Sequence, residues 1–141
     1  MASTIELLNE LLALHSNSLP SYLVNAKPWS ARRDAKVLEA LAAVADDHRR
    51  MTDLIGSHIL ELGGSIQGGE FPMLYTDMHD LSSDYILNEV CRFQKLENSR
   101  IEQIADELAG SPKAQALAKE ALGAGKAHLQ NLGELLAESA V

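Results

Sequence analysis

Residues 34–64 read DAKVLEALAAVADDHRRMTDLIGSHILELGG, and this stretch decides the fold class. Val37, Leu41, Val44, His48, Met51, Ile55, Ile59 and Leu62 recur at spacings of three and four, which places them on one face of an α-helix. The Gly63-Gly64 pair that follows suits the left-handed conformation in which helices end. A stripe of this length has to be covered by other elements, and the flanking sequence supplies more helices of the same kind.

Towards the N-terminus, Ser3 and Glu6 form a capping box that opens a first helix. Its stripe is Ile5, Leu8, Leu12, His15, Leu19, Tyr22 and Ala26. Pro20 lies inside this stretch and predicts a kink or a local break. Pro28, Trp29 and Ser30 then mark a connection to the second helix, which begins near Asp34. Beyond Gly63, residues 63–79 carry four glycines and Pro72 with no clear period. That is longer than a turn between antiparallel neighbours requires and suits a crossover that lays the third helix parallel to the second. The third helix is expected from about Asp80 to Ala109, with Ile86, Val90, Phe93, Glu97, Ile101, Ile104 and Leu108 on its stripe. Gly110-Ser111-Pro112 supplies a stop, an N-cap and a first-turn proline. The fourth helix runs to about Ala137 on Leu117, Ala121, Ala124, His128, Leu132 and Leu135. The reading is one all-α domain over residues 1–141, a four-helix bundle with one long crossover between its second and third helices.

The 141 residues suit one domain. Hydrophobic residues at 46% and charged residues at 23% exclude the disordered class. A formal net charge of −8 works against nucleic-acid phosphates and anionic lipid surfaces, so neither is an expected partner. Apolar runs fall short of the roughly 20 residues that span a bilayer. Met1-Ala2-Ser3-Thr4-Ile5-Glu6 lacks the basic and apolar regions of a secretory signal. Cys91, the single cysteine, makes no intrachain disulfide and no cysteine-based zinc site. A reducing, cytoplasmic location is expected.

The informative residues are those that interrupt the stripes: His15, His48, Glu97 and His128, one from each predicted helix. Counted from the helix ends at 1.5 Å per residue, their levels agree to roughly one turn. Gln94 competes with Glu97 for the inward position of the third helix. A single histidine on an apolar face is ordinarily a hydrogen-bonded core residue. Three imidazoles and a carboxylate in one layer call either for a satisfied polar network or for a bound metal, because unpaired they cost several kcal/mol. This donor set suits Zn or Fe better than Mg or Ca. Elsewhere, His58 is expected at a groove edge, His79 with Asp77 and Asp80 at a helix cap, and Met51 in the core. Glycines 123, 125 and 133 each weaken the fourth helix, and either permit close approach or leave space beside His128.

The chain resembles the ferritin-like superfamily. Leu8-Asn9-Glu10-Leu11-Leu12, His15 and Tyr22-Leu23-Val24-Asn25-Ala26 look like the opening helix of bacterioferritins. Ile59-Leu60-Glu61-Leu62-Gly63-Gly64 resembles the close of their second helix, and Gly125-Lys126-Ala127-His128 falls where their last helix carries E-x-x-H. The resemblance implies a bundle core built to hold iron. The ligand glutamates of that family fall here on His15, His48 and Gly125, and the second-helix histidine falls on Met51. The bridging carboxylates of a di-iron centre are thus missing, and a mononuclear site of His15, His48, Glu97 and His128 is what remains. Two functions are expected from this. One is a ferritin-like metal-binding protein with an atypical His-rich site for Fe or Zn, oxidoreductase-like in character. The other is a non-enzymatic bundle that serves oligomerisation or protein interaction without metal. The family resemblance implies a homo-oligomer, a dimer or larger.

Overall fold

The computed structural model describes residues 2–26, 35–67, 71 and 83–139. These form five helices: α1 (Thr4–Ser16), α2 (Leu19–Ala26), α3 (Ala35–Glu61), α4 (Ser83–Glu107) and α5 (Pro112–Ser139). No strand occurs among the described residues. No helix among them is long and apolar enough to cross a membrane. Pro28-Trp29-Ser30, Pro72, and the Asp77, His79 and Asp80 group lie outside the described residues.

The helix ends follow local chemistry. The Ser3 hydroxyl accepts from the Glu6 N–H at 3.1 Å, which caps α1. The predicted first helix breaks at Asn17–Ser18, just ahead of Pro20, which sits in the first turn of α2 where its missing N–H costs no helical bond. Gly63 takes φ +80° and closes α3. The Gly64 N–H donates to the Ile59 carbonyl and the Gly63 N–H to the Leu60 carbonyl, each at 3.0 Å, a Schellman arrangement.

Contacts fix the helix directions. Lys113 meets Glu61 and His128 meets Asp47, so α5 runs antiparallel to α3. Gln115 bonds the Ala105 carbonyl while Gly125 lies against Asn98, so α5 is antiparallel to α4 as well. Helices α3 and α4 are therefore parallel, so the end of α3 and the start of α4 lie at opposite ends. Against α3, α1 runs antiparallel: His15 lies against His48, and Ile5 against Gly64.

Two apolar clusters make the core. One gathers Leu7, Leu8, Leu11, Met51, Ile55, Ile59, Ile104 and Ala118; the other gathers Leu19, Leu23, Leu41, Val44, Ile86, Leu87 and Leu132. Between them the buried side chains are polar: His15, Ser18, His48, Gln94 and Asn98. On α4 and α5 the buried faces are turned relative to the sequence reading. Gln94 and Asn98 are buried on α4, while Phe93 and Glu97 lie on the flank. Ala114, Ala118, Ala121 and Gly125 face the core of α5, while Leu117 and Ala124 flank it. The reason is size: the small residues of α5 let α4 approach closely, and an added Cβ at Gly125 would stand 2.2 Å from Asn98 Oδ1.

This packing sets opposite outcomes for two neighbouring glycines. Gly123 has nothing within 4 Å of an added Cβ, so Gly123→Ala should stabilise by about 1 kcal/mol through helix propensity. Gly125→Ala should forfeit that gain and cost about 1–3 kcal/mol, because Asn98 must give up its place. Chemical denaturation of the two variants measures the difference; equal stabilisation would contradict the close approach.

Candidate functional site: a buried histidine layer

Three of the four sequence-predicted site residues come together. The His15 and His48 rings lie edge to face, with centroids 5.1 Å apart. His48 and His128 repeat the arrangement at 6.1 Å. His15 and His48 are buried, and His128 is largely so. The fourth residue takes no part: no hydrogen bond or ion pair joins Glu97 to these rings. The carboxylate that meets them belongs to Asp47, whose Oδ2 accepts from His128 Nε2 at 2.9 Å. Gln94, the alternative to Glu97, is the buried α4 residue, and its amide donates to Asn98 Oδ1 at 2.9 Å.

Each imidazole is held by one nitrogen. His15 Nδ1 donates to the Leu11 carbonyl one turn back, at 2.8 Å. His48 Nδ1 lies 2.7 Å from Ser18 Oγ. Ser18 Oγ in turn donates to Ser21 Oγ, and Ser21 Oγ donates to the His15 carbonyl. Direction along this chain makes His48 the donor at Nδ1, since the Ser18 proton is already committed. The break between α1 and α2 thus does chemical work: it frees the His15 carbonyl end of α1 and presents Ser18 to a ring on α3. Asp47 also accepts from Arg50, at 3.0 Å.

Burial decides the protonation of the layer. Desolvation, together with the neighbouring His15 and His128, pushes the His48 pKa down to about 3. His15 is also lowered, chiefly by desolvation. Burial opposes the charge of Asp47, but hydrogen bonds from His128 and Arg50 outweigh it and hold the carboxyl below its ordinary range. Glu97 has no such partner among the described residues, and desolvation pushes it up to about 8. A cavity of about 200 Å³, lined by His15, Ser16, Ser21, Arg49 and Thr52, opens beside the layer.

Metal fit can be judged from the donors. Among the described residues no three or more His, Cys, Asp or Glu side chains are arranged to hold a metal ion. The rings meet edge to face, and Asp47 is spent on His128 and Arg50. As placed, the layer does not fit a metal. Asp47 and Ser18 were not legible as site residues in the sequence; the Asp46-Asp47 pair beside His48 and the Ser18-Leu19-Pro20 break were the available signals. Comparison with family models, with curated proteins and with solved structures finds no match for this chain.

The pKa directions give opposing pH dependences. His15 and His48 have folded values below the ordinary 6.5, so the folded state binds fewer protons than the unfolded one. Their contribution is intact above pH 6.5 and is lost as pH falls below it, for His48 down to about 3, at about 1.4 kcal/mol per pH unit per proton. Glu97 has a folded value above the ordinary 4.5, so its contribution is intact below pH 4.5 and is lost as pH rises through 8. Glu97→Gln should therefore stabilise the protein at pH 8 by about 1–3 kcal/mol and leave it unchanged at pH 4. Urea unfolding at the two pH values checks this; equal effects at both would contradict a protonated Glu97.

Proposed function

We propose that the chain is a ferritin-like four-helix bundle that works as a non-enzymatic binding and interaction module. In this reading a hydrogen-bonded histidine layer takes the place of a di-iron centre. The observation that carries it is that every ring of the layer has a protein partner: His15 has Leu11, His48 has Ser18, and His128 has Asp47. The parallel course of α3 and α4 supports the ferritin-like part of the reading. The departures in sequence support the other part, a layer in place of a di-iron centre: the family's ligand glutamates fall on His15, His48 and Gly125, and the space beside Gly125 is filled by Asn98.

A polar layer of this kind sets register. Sliding α3 by one turn would bring Val44 or Thr52 opposite Ser18 and leave His48 without its partner. A buried imidazole so orphaned costs about 1–3 kcal/mol, against a total stability of about 5–15 kcal/mol for a domain. The layer therefore selects one alignment of the helices. Specific alignment matters to a module that presents a surface to a partner or to a second copy of itself.

The metal-binding reading makes the opposite forecast, and thermal unfolding separates the two. A ligand that binds the folded state raises its stability as RT ln(1 + [L]/Kd). Wild-type protein at neutral pH should show the same melting temperature with and without Zn²⁺, Fe²⁺ or Mn²⁺, and elemental analysis should find no stoichiometric metal. A metal-dependent rise that His15→Leu, His48→Leu and His128→Leu each abolish would replace the module with a metal protein.

A further inference from the structure

The cavity of about 200 Å³ beside the histidine layer carries polar groups that the layer itself does not use. The break between α1 and α2 supplies His15, Ser16 and Ser21 to its walls. One face of α3 supplies Ala45, Arg49 and Thr52, and Phe71 lies beside them. At about 30 Å³ per water the space holds roughly seven waters, which suits a very small metabolite and not a drug-sized ligand.

The direction of each hydrogen bond decides what a ligand here must present. His15 Nδ1 bonds the Leu11 carbonyl and so carries the proton of the neutral ring, which leaves Nε2 as a bare acceptor. Nε2 has no hydrogen-bond partner among the described residues, although His15 is only 4% exposed. Unlike Ser16 Oγ, it is not sealed from solvent. Thr52 Oγ1 gives its proton to the His48 carbonyl at 2.8 Å, and Ser21 Oγ gives its own to the His15 carbonyl at 3.5 Å. Both hydroxyls keep a lone pair free. The inner wall is therefore a set of acceptors: His15 Nε2, Ser21 Oγ and Thr52 Oγ1. The strong donor is Arg49, an exposed residue at the cavity mouth. Arg50, Arg92 and Arg100 are each paired with a carboxylate, whereas Arg49 has no ion pair or hydrogen bond among the described residues. A cation at the mouth and acceptors within call for a ligand that is anionic at one end and a donor at the other.

We infer that this cavity binds a small α-amino acid with an uncharged side chain, of the size of alanine or serine. Its carboxylate pairs with the Arg49 guanidinium at the mouth. Its ammonium gives its N–H groups to His15 Nε2, Ser21 Oγ and Thr52 Oγ1, and its short side chain lies against Ala45 and Phe71. The Asp47 carboxylate acts through space on His15 and favours positive charge on this side. A sulfate or a fully ionised phosphate fits worse, because it would set its own lone pairs against those of the inner wall. The inference rests on the reading of His15 as a neutral ring free of metal.

Nuclear magnetic resonance titration of the wild-type protein with L-alanine, in the presence of a chelator, tests it. The chelator keeps metal out of the layer, and the His15 spectrum before alanine is added reports the state of the ring by itself. A failure to bind therefore counts against the cavity and not against the reading of the layer. The Ser21 and Thr52 amides and the His15 Nε2 resonance should shift together and saturate. L-lactate, which has a hydroxyl for the ammonium, and ethylamine, which lacks the carboxylate, should each bind at least tenfold more weakly. Arg49→Gln should weaken alanine binding at least tenfold, and Thr52→Val severalfold. The proposal is overturned if alanine, glycine and serine all fail to saturate these resonances, if lactate binds as tightly as alanine, or if Arg49→Gln leaves the affinity unchanged.

Discussion

The constraint on which this structure depends is the hydrogen bonding of a polar slab across the middle of the bundle. His15, Ser18, His48, Gln94 and Asn98 are all buried there, between two apolar clusters that pack without regard to direction. Hydrophobic burial supplies most of the driving force but tolerates sliding and repacking. The slab does not, because each misplaced ring or amide loses a partner at low dielectric. Local features that look unrelated follow from it. The interruption between α1 and α2 provides a serine for His48, and the glycine at 125 makes room for the amide pair on α4.

The two halves of the slab are solved differently. On one side, rings from α1, α3 and α5 meet edge to face, and each sends one nitrogen to a carbonyl, a hydroxyl or a carboxylate. On the α4 side, an amide pair closes on itself through the Gln94–Asn98 bond, and Gly125 of α5 makes room for it. Glu97 lies outside both arrangements, and desolvation with no offsetting partner among the described residues raises it. The ion pairs that surround the slab, Arg50 with Asp47 and Glu120 and Arg100 with Glu10, are more exposed and add little by comparison.

Much of this was legible in the sequence. The punctuation by Ser3, Pro20, Gly63 and Gly110-Ser111-Pro112 located the helix ends, because caps and breaks are local chemistry. The convergence of His15, His48 and His128 was legible from phase and level. The inward faces of α4 and α5 were harder to read, since a stripe drawn through the larger apolar residues Phe93 and Leu117 misses a contact made by alanines and a glycine. Asp47 escaped notice because it lies about 100° around α3 from His48, and it becomes part of the layer only once α5 brings His128 alongside. Both omissions concern relations between helices, which no single helix's periodicity contains.

The central proposal is that His15 and His48 are neutral, held by protein partners and free of metal. Nitrogen-15 resonance of the imidazole side chains at pH 6 tests it most directly. The account predicts that His15 and His48 each carry one proton, at Nδ1, with Nε2 bare, and that both spectra stay unchanged on adding a chelator or Zn²⁺. Doubly protonated rings at that pH, or Nε2 resonances that move with metal, would contradict it.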